Sequence, residues 1–135
     1  MTTKKIFISG ALLVIFAFNA FAMDTITSLD TLQSKANQNK VIVAVFSAAW
    51  CAPCKTFKEN IFTPMENSYK EKYGNRVEFY VFDVTETAVA KSVQTRLGIN
   101  TIPAVIVFSG SMDNRDIFVP PSGQLIRDAI DKRLK

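Results

Sequence analysis

Histidine is absent from this 135-residue chain, and cysteine occurs only twice, at Cys51 and Cys54. A structural zinc site takes about four nitrogen or sulfur ligands, so a lone pair of thiolates without histidine cannot close one. No long apolar run is present. The longest, Ile6 to Phe18, is broken by Ser9 and Gly10 and falls short of the ~20 residues that comfortably span a bilayer. Blocks of like charge are missing too. The basic residues are scattered among acids, without a basic stripe or an aromatic ladder, which excludes a nucleic-acid interface. Neither an internal repeat nor a low-complexity segment is found.

The chain is 48% apolar and 21% charged, ordinary values for one globular domain with a real core. Its first 22 residues stand apart. Lys4 and Lys5 form a basic start, the apolar run follows, and Ala20-Phe21-Ala22 offers small residues where a signal peptidase needs them. Residues 1–22 are therefore expected to be a cleaved signal peptide, with residues 23–135 as the mature domain and the periplasm as its location. No cysteine follows the apolar run, so lipoprotein anchoring has no residue to act on. Removal of Lys4 and Lys5 lowers the net charge from +4 to +2, so much of the basic character belongs to the export signal.

The mature chain reads as alternating strands and helices. Ser28 caps a helix that places Leu29, Leu32 and Ala36 on one face. Val41 to Phe46 is a continuous β-branched and aromatic run, the pattern of a strand buried on both faces. Helical spacing starts near Cys51 with Phe57 and Ile61 on the core side. Pro64 is expected to end or kink that helix, with a second piece from about Met65 to Tyr73. Val77 to Val84 is a second strand, Thr87 to Leu97 a helix stopped by Gly98, and Ala104 to Phe108 a third strand. Arg115 to Val119 follows as a short fourth strand, and Ser122 caps a last helix reaching Leu134. This order predicts an α/β fold whose central mixed sheet has about four strands flanked by helices, parallel in its first half with an antiparallel edge.

Chemistry is concentrated at Cys51-Ala52-Pro53-Cys54. At the start of a helix, a leading cysteine is exposed where unpaired backbone N–H groups and the helix dipole favour a thiolate. A second cysteine one turn inward is shielded and placed to attack a mixed disulfide on the first. Exposure thus assigns Cys51 as nucleophile and Cys54 as resolving thiol, with Ala52 and Pro53 as supporting residues. Pro53 suits the first turn, where its missing N–H costs nothing. A purely structural disulfide is the plainer reading, but so short a loop removes little unfolded-state entropy. A copper(I) site on both thiolates is a further alternative. Trp50 reads either as a core aromatic or as a flat shield beside the pair. Pro103 marks the entry of a strand, and its residues alone do not decide between cis and trans.

Taken together, Trp50-Cys51-Ala52-Pro53-Cys54-Lys55 and Thr101-Ile102-Pro103 resemble the thioredoxin family across about residues 28–134. The resemblance implies a thioredoxin fold and a cis Pro103 packed beside the cysteine pair. It also implies that Ile102 holds a client segment by strand-like pairing, with Trp50 and residues 119–121 as further walls of that docking surface. Cys54 to Glu59, Phe62-Thr63-Pro64 and Asp83-Val84-Thr85 are further similar to the periplasmic domain of the transmembrane disulfide reductase. That likeness implies a reducing or electron-relay role and a membrane redox partner.

Two departures from the family stand out. Thioredoxin carries a buried aspartate six residues before its first active cysteine; here the position is Val45. The lysine neighbouring that aspartate on the next strand is expected at Phe79. Deprotonation of Cys54 must then rely on water or on a different carboxylate, for which Glu59 and Glu78 are the candidates. The expected protein is a monomeric thiol–disulfide oxidoreductase that exchanges a Cys51–Cys54 dithiol/disulfide with protein thiols and disulfides. It needs no cofactor beyond that pair. Isomerase activity is not expected, because residues 23–40 are too short for a dimerisation segment. The alternative is a non-catalytic thioredoxin-like chaperone, assembly or copper-handling module.

Overall fold

Strand β2 (Val41–Ser47) is buried at every position, and the rest of the fold is arranged around it. The computed structural model describes Gly10 and residues 23–37 and 39–135; the expected signal peptide lies almost wholly outside the described residues. From the N-terminal side the elements are β1 (Thr25–Ile26), α1 (Leu29–Lys35), β2, α2 (Ala52–Phe57), a π-helical turn (Lys58–Phe62) and α3 (Thr63–Tyr73). A 3₁₀ turn (Gly74–Arg76) leads to β3 (Val77–Asp83), α4 (Thr87–Leu97), β4 (Ala104–Ser109), β5 (Arg115–Phe118) and α5 (Gly123–Leu134).

The sheet has five strands in the order β1-β3-β2-β4-β5. β2 runs parallel to β3 and antiparallel to β4, and β5 is antiparallel to β4. The fold is α/β with a mixed sheet, as the element order predicts, but with one more strand than expected. Thr25–Ile26 pairs in parallel with Val81 and Phe82. Two residues are too short to show an alternating pattern, which is why this edge strand is silent in the sequence.

Side chains alternate across the sheet and build two cores. On one face Ile42, Ala44, Phe46, Phe82, Ile106 and Phe108 meet Leu29 and Leu32 of α1 and Val93 of α4. On the other face Val43, Val45, Phe79, Val105 and Val107 meet Phe57, Phe62 and Met65 from the long helical segment and Ile126 and Ile130 from α5. Burial on both faces explains why β2 and β4 carry almost no polar residues.

Pro64 neither ends nor breaks its helix. The preceding turn widens instead, with the Thr63 N–H donating to the Lys58 carbonyl, and Pro64 falls in the first turn of α3. A wide turn relieves the missing N–H and the ring clash that proline imposes inside a regular helix. It also rephases the side chains. Phe57 and Phe62, five positions apart, both reach the core with ring centroids 6.1 Å apart.

Candidate active site

The buried run of β2 ends at Ser47, and the chain crosses residues 48–50 before α2 begins. That crossing is stitched to the segment after β3. The Val84 N–H donates to the Ser47 carbonyl at 2.8 Å, and the Ala49 N–H donates to the Thr85 hydroxyl at 2.9 Å. The Thr85 hydroxyl in turn donates to Asp83, whose carboxylate also accepts from the Thr85 N–H at 2.8 Å. Such pinning fixes where Cys51 emerges.

Cys51 is the N-cap of α2, and its sulfur accepts from the Cys54 N–H at 3.2 Å. Pro53 occupies the first turn, where no backbone donor is needed. Cys51 and Cys54 are joined as a disulfide. Cys51 keeps 6% of its surface exposed and Cys54 none. The leading cysteine is thus more enclosed than a free helix start implies, yet it remains the accessible member of the pair. Ala52 and Pro53 are exposed beside it.

Trp50 is 72% exposed, so it is no core aromatic. With Val84, Val93, Ile99 and Ile102 it walls a cavity of about 390 Å³. The Ile102–Pro103 and Val119–Pro120 bonds are both cis. Pairing of Phe46 with Ala104 and of Val105 with Phe118 brings residues 102–103 and 119–120 to the end of the sheet from which Cys51 emerges. Val119 is 43% exposed there. Trp50, Ile102, Pro103 and Val119 therefore gather at one end of the sheet with the disulfide.

The charged groups depart from expectation. Val45 lies on the face covered by the long helical segment; its neighbour on β3 is Val81, and Phe79 pairs with Val43 one step lower. Positions 79 and 81 share a face and are both apolar, so the pattern does not tell them apart. Glu59 is largely exposed, and among the described residues its ionic partner is Lys55 at 4.0 Å. Glu78 pairs with Ile42, near the start of β2 and far from the cysteines. It accepts from Lys40 at 2.7 Å and from the Tyr80 hydroxyl. Burial alone would raise its pKa, but these bonds hold the carboxyl below the usual glutamate range. Neither glutamate is placed to serve the pair.

Sequence reasoning missed a polar pair one step above Val45 and Val81 on the same face. Ser47 stands opposite Asp83, and both line a cavity of about 270 Å³ together with Cys51, Lys55 and Lys58. Counting two residues along each strand from the apolar pair would have found them. As for metal ligands, the sulfurs of Cys51 and Cys54 are the soft donors at this site, and here they are joined as a disulfide.

Comparison with known proteins agrees with this architecture. The thioredoxin family model matches residues 25–132. Thioredoxin of Coprinus comatus is 29% identical over 87 residues, covering 64% of this chain and 74% of its own length. Thioredoxin-2 of Saccharomyces cerevisiae is 30% identical over 78 residues, 58% of this chain and 66% of its own. The crystal structure of Malassezia sympodialis thioredoxin superposes with a TM-score of 0.62 at 25% identity, covering 84% of this chain and 92% of that one. Family match, fold and a CxxC disulfide coincide: the chain belongs to the thioredoxin family and is a thiol–disulfide oxidoreductase.

Proposed function

We propose that the protein works in the cell envelope, exchanging its Cys51–Cys54 dithiol/disulfide with protein clients in the reducing or electron-relay direction. The observation that carries the exchange chemistry and its division of roles is the unequal burial of the two cysteines, 6% exposure at Cys51 against none at Cys54. In the dithiol form, the Cys51 thiolate attacks a client disulfide, forming a mixed disulfide and releasing one client sulfur as thiolate. Cys54 then loses its proton and attacks the Cys51 sulfur. The Cys51–Cys54 bond closes, and the second client sulfur leaves and is protonated from water. The start of the helical segment favours the Cys51 thiolate throughout. Trp50, Ile102 and Pro103, with Val119 across from them, form the docking surface, where the backbone of Ile102 pairs with an extended client segment.

The envelope location rests on the basic start, short apolar run and Ala20-Phe21-Ala22 of the sequence, with cleavage after Ala22. The protein acts as a monomer and recovers electrons from a membrane-bound redox partner. No resident cofactor is needed, because the disulfide itself carries two electrons.

Insulin reduction with dithiothreitol, comparing wild type with Cys51→Ser, tests the reading. Wild type accelerates the reaction and the variant does not; equal rates would sink the enzymatic role and leave the chaperone or copper-handling alternative. Equilibration against a glutathione series fixes the direction. A potential near that of periplasmic oxidants would overturn the reducing assignment.

A further inference from the structure

The Val45–Val81 pair carries no charge, but one step higher along the strands a cavity of about 270 Å³ is lined by charged groups from the β3 end and the helical segment. Cys51 forms part of that wall, with Ser47 and Asp83 from the strand ends and Lys55 and Lys58 from the helical segment. The two lysines differ. The Lys55 side chain is 76% exposed and lies 4.0 Å from Glu59. Lys58 is half-buried, and among the described residues no carboxylate oxygen lies within 4.0 Å of its ammonium. Half-burying a lysine removes water from the cation and side-chain freedom from the stem, and here no ion pair offsets that cost. Asp83 faces the same space but is occupied by the Thr85 hydroxyl and N–H.

An anion does appear in this cavity when the protein is reduced. A dithiol donor delivers two electrons to the Cys51–Cys54 bond and becomes a disulfide itself; of its two protons one goes to Cys54, which becomes a thiol, the other goes to water, and Cys51 is left as thiolate. We propose that Lys58 is the charged partner of the Cys51 thiolate, standing in from the helix for the charged pair that Val45 and Val81 do not supply, with Asp83 as its counterweight. The proposal rests on Cys51 being the nucleophile. Lys58 is a positioning residue in this scheme. It lowers the proton affinity of Cys51 through the shared cavity, and Asp83 raises it. Lys58 stabilises the reduced form more than the disulfide, which makes the couple more oxidising than the bare fold would be.

The test compares the reduced protein with its Lys58→Met, Lys58→Arg and Asp83→Asn variants. Ultraviolet thiolate absorbance and iodoacetamide alkylation are followed against pH, and the disulfide is equilibrated with glutathione. Lys58→Met should move the reactive thiol's titration upward, and its glutathione equilibrium toward the disulfide, by about threefold to tenfold. Lys58→Arg should stay near wild type, and Asp83→Asn should move the titration the other way. A lost stem contact alone would not produce opposite shifts in two variants. Titrations unmoved in folded Lys58→Met and Asp83→Asn would overturn the proposal, as would Lys58→Arg behaving like Lys58→Met. Failure of the underlying reading looks different: Cys51→Ser would then retain the low-titrating, fast-alkylating thiol.

Discussion

Val45 faces Val81 across the parallel β2–β3 ladder, both apolar and both on the face packed under the helical segment that starts at Cys51. Val45 has no exposed surface. The proton-handling charges that the family carries at this level are therefore absent, and the position has become part of the core.

A carboxylate placed there would sit opposite Val81, in a fully buried position with no charged neighbour directly across the ladder. Val45→Asp should cost about 3 kcal/mol or more of stability, the range for an unpaired buried charge. Adding Val81→Lys to the same chain should recover on the order of 1 kcal/mol through the new pair. Chemical denaturation of the two single variants and the double variant measures both quantities. A Val45→Asp variant as stable as wild type would contradict this packing.

Removing the shielded sulfur should trap the reaction halfway. Cys54→Ser leaves Cys51 able to form a mixed disulfide but without an internal attacker to release it. Covalent adducts with client proteins should accumulate on non-reducing gels with Cys54→Ser and be absent with Cys51→Ser. Adducts of equal abundance in both variants would reverse the assignment of roles.

Glu66 is a liability rather than an asset. It is 1% exposed on α3, one carboxylate oxygen has no hydrogen-bond partner, and Lys70 approaches it at 3.6 Å. Burial raises its carboxyl above the ordinary glutamate value, and Lys70 offsets only part of the rise. A raised carboxyl favours the fold while protonated and opposes it once ionised, so the penalty grows as pH rises through the folded-state value. Glu66→Met should therefore gain about 1 kcal/mol near neutral pH, with the gain vanishing below the usual glutamate range. Thermal melts at two pH values decide the matter.

Glu78 should behave in the opposite sense. Lys40 and Tyr80 hold its carboxyl below the ordinary range despite the burial that pushes it up. Its contribution is present above the unfolded value and is lost as pH falls through the folded one. Lys40→Met should cost no more than about 1 kcal/mol near neutral pH, because the pair is part-exposed, and the difference from wild type should close on acidification. A difference that widened in acid would refute the pairing.

The sequence made legible whatever depended on local pattern. The apolar run of β2, the helix from Thr87 to the Gly98 stop, and the cysteine spacing all appear where their patterns place them. What escaped depended on partners distant in the chain. The two residues of β1 become a strand only because β3 offers an edge. The neighbour of Val45 is set by register, and Phe79 and Val81 look alike from the sequence. Pro64 signals a break, yet the widened turn before it lets the helix continue. Lys58 looks like any solvent-facing lysine until the fold puts it on the same cavity wall as Cys51.

That widened turn makes chain length itself a design variable. Lys58 to Phe62 holds one residue more than a regular turn needs, so it works as a gearing between the redox end of the helical segment and its far end. Phe62, Met65 and Tyr69 sit on the second core, and Tyr69 donates to Asp131 of α5 at 2.6 Å. Deleting solvent-facing Asn60 would close the wide turn to a regular one and put Phe57 and Phe62 four positions apart, still on one face. Deleting a residue from the regular turns of α3 would instead rotate everything downstream by roughly 100° on a 3.6-residue turn. The wide turn is thus where this segment can change its length by one residue while the aromatic anchors and the cysteines keep their phase.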